Sequence, residues 1–216
     1  MLSQAIIKHP SSMHARSLTG PIEMIGAIMP FARNSEIYGV NERSKYLYKV
    51  FKGSVRTYKV SEDGRRQISA FYLPGDVFGF EVGDEHTLSA EAIVDCQLLV
   101  IRRTSVATLA TRDSSVARQL WAMTAAELQR AQDHVMLLIK TAQERVVWFL
   151  LEMSKRSSSD EINLQMSRQD IADYLGLTIE TVSRTLTKLE NAAAIALPTA
   201  RHVVLCNRKA LISPNS

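Results

Sequence analysis

The residues best equipped for chemistry lie in one short stretch, MSRQDIADYLGLTIETVSRTLTKLENAAAI, residues 166–195. Glu180 and Arg184 stand one helical turn apart, with Ile179 and Ser183 beside them. A guanidinium can donate two hydrogen bonds to guanine O6 and N7, a carboxylate can accept from cytosine N4, and an apolar group can touch a thymine methyl. Each good bidentate contact discriminates by ~1–3 kcal/mol. At ~100° per residue, Ile179, Glu180, Ser183 and Arg184 occupy an arc of roughly 140°, whereas Val182, Leu186 and Leu189 cluster within about 60° on another side. One face is therefore sealed to the protein and the other is offered to base edges. A carboxylate facing DNA is repelled by phosphates, so it weakens nonspecific binding and makes sense for selecting a cytosine. The same spacing also suits an ordinary surface ion pair, which contributes only ~0.2–0.5 kcal/mol. The capped turn and apolar core around it favour base reading.

Two short helices must position that face. Ser167 precedes an apolar-periodic run and has Asp170 three residues on, a short-carboxylate capping box that starts the first helix. Gly176 supplies the tight turn and Thr178 caps the second helix. Val182, Leu186 and Leu189 are expected to pack on Ile171, Ala172 and Leu175, giving a helix-turn-helix. Phosphate contacts are expected from Ser167 and Arg168 at the first helix start, Thr178 and Thr181 at the second, and Lys188 and Arg201 on the flanks. Residues Ile195–Cys206, with Pro198-Thr199 as a turn, predict a two-stranded wing. Residues 157–216 carry six basic and six acidic groups, so any positive patch there must come from local geometry.

Upstream the period stays helical. Leu120, Thr124, Leu128, Ala131, Val135, Leu138 and Ala142 recur at spacings of 4 and 3 and hold a stripe of roughly 80°. So narrow a seam suits a twin helix and predicts a parallel homodimer; packing on the chain's own β-domain is the alternative use of such a face. A further helix is expected at Gln143–Met153, ended by Lys155–Ser159. Between Ile37 and Ser105, Val, Ile, Phe and Tyr segments alternate with turns at Lys52-Gly53, Glu62-Asp63-Gly64 and Pro74-Gly75-Asp76. Strands at Tyr46–Phe51, Val55–Val60, Gln67–Leu73 and Gln97–Ile101 make a small β-roll or jelly roll. Residues 1–36 lack a clear period and predict a partly mobile N-terminus with a short helix around Pro21–Met29. The expected architecture is α+β: a β-roll over residues 1–113, a dimerisation helix over 114–142 and a winged helix-turn-helix over 143–216.

Composition sets outer limits. At 216 residues, 46% hydrophobic and 22% charged, the chain reads as a soluble protein of about two domains. Apolar runs such as Val135–Ile139 fall far short of the ~18 residues that cross a bilayer, and the start lacks the design of a secretory signal, so a cytoplasmic protein is expected. The net charge of +4 permits a polyanionic partner without demanding one. Cys96 and Cys206 are too few for a disulfide framework or a four-thiolate cluster, and their strand contexts predict inert burial. His9, His14, His86, His134 and His202 show no metal-ligand spacing, His134 reading as a surface or seam residue, and no positioned Cys or His pair suggests haem. No GxSxG, HExxH or phosphate-cradling glycine loop appears, so neither a metal nor catalysis is expected.

The run IADYLGLTIETVSRTL resembles the recognition motif of the Crp-Fnr family of bacterial transcription regulators, and Glu180-x-x-Ser183-Arg184 resembles its Fnr and FixK branches. The β-roll turns, the Gly79-Phe80-Glu81 stretch, the dimer helix and the winged motif follow the family's order. The resemblance implies a cyclic-nucleotide-binding-like β-roll. It also implies a homodimeric activator that recruits RNA polymerase and reads a palindrome near TTGAT-N4-ATCAA, with Glu180 and Arg184 at a G·C pair, and a tie to nitrogen fixation. Residues 1–36 contain no cysteine, which removes the N-terminal cluster of Fnr-type oxygen sensors. Residues 79–92, GFEVGDEHTLSAEA, are acidic and without the Arg-Ser pair that holds phosphate in the cyclic-nucleotide branch. A FixK-type regulator without cyclic nucleotide or other cofactor is therefore the expectation, a regulator gated by a ligand in the β-roll the alternative.

Overall fold

A computed structural model describes residues 20–212; His9, His14 and the expected mobile N-terminus fall largely outside them. A 3₁₀ turn at Gly20–Ile25 leads into eight strands: β1 (Ala27–Phe31), β2 (Glu36–Tyr38), β3 (Tyr46–Lys52), β4 (Val55–Val60), β5 (Arg66–Tyr72), β6 (Val77–Phe78), β7 (Ser89–Ala92) and β8 (Cys96–Arg102). They form two antiparallel sheets, β1-β8-β3-β6 and β2-β7-β4-β5. Tyr48, Val50, Val55, Phe78, Ala90 and Leu98 close the core between them. Gly53 turns β3 into β4 at φ +91°, where a Cβ would lie 2.6 Å from the Asp95 carbonyl oxygen, so this turn accepts glycine alone.

The four strands read from the sequence form within a residue or two of their expected limits. The helix expected at Pro21–Met29 gives way to the 3₁₀ turn and β1. Ala27 pairs with Val100 and Phe31 with Cys96, and Pro30 is tolerated because β1 is an edge strand that needs no second ladder.

Three helices follow: α1 (Arg103–Arg112), α2 (Ser114–Leu138) and α3 (Ala142–Ser157). The sequence reading missed α1, whose weak apolar pattern buries only Val106. The Asp113 side chain caps α2 by accepting from the Ser115 amide. The α2 helix ends at Leu138, short of Ala142, because Thr141 and Glu144 form a full capping box that begins α3. The α3 helix outruns its expected end and stops where Ser158 turns left-handed at φ 52°. One face of α2 packs within the chain and another stays exposed. Val116, Met123 and Leu137 are buried within the chain, while Leu128 (60% exposed) and Val135 (63%) stand clear.

The last third holds β9 (Glu161–Asn163), α4 (Arg168–Leu175), α5 (Ile179–Asn191), β10 (Ile195–Ala196), β11 (His202–Leu205) and α6 (Arg208–Ile212). The wing has three strands rather than two, ordered β10-β11-β9, with His202 opposite Asn163. A three-residue strand before the helices carried no alternation long enough to announce it. Cys206 lies one residue past β11 and is exposed, against the expectation of burial, whereas Cys96 is buried. Ile68, Phe71 and Ile93 of the β-roll share one apolar cluster with Phe149, Leu150, Ile171, Leu175 and Val182. The winged helix-turn-helix is thus seated on the β-roll through common core, and the fold is the α+β arrangement expected. Among the described residues no helix is long and apolar enough to cross a membrane.

Candidate nucleic-acid interface

Helix α4 begins with a reciprocal cap. The Asp170 amide donates to Ser167 Oγ at 3.0 Å, while Asp170 Oδ2 accepts from the Ser167 amide at 3.0 Å and its hydroxyl at 2.8 Å. Gly176 closes the helix in the left-handed region at φ 63°. Thr178 Oγ1 then accepts from the Thr181 amide at 3.2 Å and starts α5. Val182, Leu186 and Leu189 are buried against Ile171, Ala172 and Leu175, with Thr185 bonding back to the Thr181 carbonyl at 2.7 Å. Ser167→Ala is expected to lower stability by about 1 kcal/mol, read as an earlier urea midpoint of the full-length protein.

With one face sealed, α5 leaves Glu180, Ser183 and Arg184 exposed and Ile179 at the margin of exposure. The helix-end amide of Glu180, then the Thr178 hydroxyl and the Arg184 charge, hold the Glu180 carboxyl below the ordinary glutamate range. At neutral pH it is a pure acceptor, which a cytosine amino group needs.

The expected phosphate contacts divide. Thr178 is exposed and Thr181 half-buried, their hydroxyls 3.1 Å apart at the start of α5. Lys188 is exposed and donates to Gln143 Oε1 at 2.9 Å, so a phosphate there must draw it from α3. Arg168 is half-buried, one Nη1 lacks a partner, and burial lowers its pKa. Ser167 and Arg201 line a cleft facing the β-roll.

Two residues that carry the site escaped the sequence reading. Asp170, beyond its cap, receives Arg56 of β4 at 3.0 Å and Arg66 of β5 at 2.6 Å. Arg56 also meets Glu91 at 2.6 Å, and Arg66 meets Asp173 at 2.7 Å. Arg145 donates to the carbonyls of Lys140 at 2.9 Å, Leu175 at 2.9 Å and Leu138, so one guanidinium joins the end of α2 to the helix-turn-helix. Neither role had a local signal, since the partners sit far away in the chain.

Aromatic rings fill the β-roll interior. Tyr38 stacks on His86 with centroids 3.6 Å apart, and Phe78 lies 5.1 Å from Tyr48 and 4.9 Å from Tyr72. Tyr72 donates to Glu127 of α2 at 2.7 Å. An arginine does reach the acidic 79–92 segment, from outside it. Arg103 donates to Ser44, Glu81 and Gly83 carbonyls, which commits its donors to the backbone.

On α2, Leu120 is half-buried, and Thr124, Leu128, Ala131, Val135 and Leu138 are exposed in the single chain, with Met136 and Ile139 alongside. His134 is instead half-buried, its ring edge-on to Tyr174 at 4.3 Å.

Comparison with known proteins gives this geometry relatives. Residues 28–113 match the model of a cyclic nucleotide-binding domain and residues 144–213 that of a Crp-like helix-turn-helix domain. The chain is 51% identical over 197 residues to the nitrogen fixation regulation protein FixK of Azorhizobium caulinodans, covering 88% of this chain and 79% of that protein. It is 39% identical to the FixK of Rhizobium meliloti, covering 94% and 95%. The structure of FixK2 from Bradyrhizobium japonicum superposes with a TM-score of 0.85 at 49% identity, covering 89% of this chain and 98% of that one.

Proposed function

The chain belongs to the Crp-Fnr family of transcription regulators, among FixK-type members, and we propose that it works as a homodimer reading a TTGAT-N4-ATCAA-like palindrome. The observation that carries this reading is the division of α5 into a sealed face and an exposed one bearing Ile179, Glu180, Ser183 and Arg184. Thr178, Thr181 and Lys188 would hold phosphates beside it, with Arg168 at the rim and Ser167 and Arg201 toward the wing. The exposed face of α2 from Thr124 to Leu138, continuing from half-buried Leu120, supports pairing with a second copy. Pairing would set two recognition helices about 34 Å apart, in successive major grooves. The protein then acts in the cytoplasm as an activator that recruits RNA polymerase at promoters concerned with nitrogen fixation.

A mutation pair tests base reading. Glu180→Ala is expected to relax discrimination at one G·C pair by about 1–3 kcal/mol. Lys188→Ala should weaken all sequences alike and lower the salt slope by about one per subunit. Equal losses on every duplex from both variants would remove Glu180 from the reading face.

Regulation by a cyclic nucleotide is disfavoured by the packed rings of Tyr38, Tyr48, Tyr72 and Phe78 and by the prior engagement of Arg103. Titration calorimetry with cyclic AMP or cyclic GMP is expected to give no heat, and a saturable signal would restore the ligand-gated alternative.

A further inference from the structure

Between the β-roll and the winged domain lies a cleft of about 230 Å³ whose lining includes Arg33, Arg56, Arg66, Arg201, Ser167 and Asp170. Four guanidiniums meet one carboxylate there. That carboxylate is saturated: Oδ1 takes Arg56 and Arg66, and Oδ2 takes Ser167. Glu91 and Asp173 neutralise two charges from outside the lining and Asp95 lies beside Arg33, so what the cleft offers an anion is free guanidinium donors and not a net charge.

The free donors have an address. The Arg33 guanidinium, in the β1–β2 turn, has no partner among the described residues; Asp95 beside it accepts the Arg33 backbone amide. The Arg201 guanidinium, at the entry to β11, makes one 3.4 Å bond to the Gln165 carbonyl and meets no carboxylate among the described residues. Deeper in the wall, Arg56 is 9% exposed and its Nε–H lacks an acceptor.

We propose that this cleft binds a phosphoryl group, with Arg33 reaching it from the β-roll and Arg201 from the wing. Guanidinium forks match phosphate oxygens two at a time. The volume is below the ~300–1,000 Å³ of pockets that enclose drug-sized ligands, which fits phosphate or pyrophosphate. Arg33 and Arg201 belong to different domains and make no bond across the cleft, so an anion held by both would fasten the winged domain in its seat. The residues that face bases on α5 are not part of this lining.

The phosphoryl group can arrive on a free anion or as part of the duplex flanking the palindrome, and two measurements separate these sources. In the first, sodium pyrophosphate is titrated into the full-length protein without DNA at fixed ionic strength. One saturable site per chain is expected. The Arg33→Gln/Arg201→Gln double variant, whose thermal midpoint without anion should match the parent's, should bind at least tenfold more weakly. In the second, duplex affinity is followed against salt for Arg33→Gln alone, because Arg33 has no part in the reading proposed above. A flat pyrophosphate titration with a salt slope reduced by about one per subunit assigns the phosphate to DNA. A flat titration with an unchanged slope overturns the site, as does pyrophosphate heat that the double variant leaves intact. If no duplex binds at all, saturable pyrophosphate binding that the double variant weakens still supports the site, and a flat titration overturns it.

Discussion

Asp170→Ala is expected to destabilise the protein by about 3 kcal/mol. Removing one member of a buried ion pair typically costs ~3–5 kcal/mol, because the charge left behind stays desolvated. Here the lower end applies, since Arg56 keeps Glu91 and Arg66 keeps Asp173. The loss should appear in urea denaturation and should come with faster amide exchange in β5 and α4, the elements the carboxylate joins. Asp170→Asn, which retains the shape, should cost less. pH provides a check without mutation. Burial alone would raise the Asp170 pKa, but the hydrogen bonds from Ser167 and the Arg56 and Arg66 charges prevail and lower it. The stabilisation is then fully present above the unfolded aspartate value near 4 and is lost as pH falls through the lower folded value. A stability profile that stays level through that acid range in the parent, or is identical in Asp170→Asn, would remove Asp170 from the tie.

The second large effect is expected on the α2 seam. Leu128 and Val135 are 60% and 63% exposed in the single chain, so Leu128→Asp/Val135→Asp should leave each chain folded. In a paired seam the same changes bring four carboxylates together in an apolar interface. Sedimentation should report a single-chain mass, and affinity for the full palindrome should fall by about 10²–10⁴, the gain that linking two binding modules provides. Affinity for an isolated half-site should hardly change. A double variant that keeps the mass of two chains would place the dimer contact elsewhere.

Legibility in the sequence followed the distance over which each feature is determined. The exposed face of α5 could be seen because its evidence is local: Ser167 with Asp170, Gly176, Thr178, and a 3.6-residue period in Val182, Leu186 and Leu189. The β-roll turns were visible for the same reason. Strand β1 was not, since Ala27–Phe31 becomes a strand only through β8, about seventy residues on. Asp170 was read only as a cap, because Arg56 lies 114 residues away and Arg66 lies 104. Ser167 was expected beside DNA; that its hydroxyl donates to Asp170 at the rim of the cleft had no further signal than the cap. Local signals show what a residue can do; its employment there depends on contacts that no window of sequence contains.

Arg145 binds the last carbonyls of α2 and the Leu175 carbonyl through the same planar group. The end of the long helix and the turn of the reading unit therefore cannot swivel independently. If two such chains clasp along α2, the gap between their helix-turn-helix units is gauged by this guanidinium together with Leu137 in the shared core and His134 on Tyr174, and the number of base pairs spanned becomes a property of that joint more than of the helices that touch the bases.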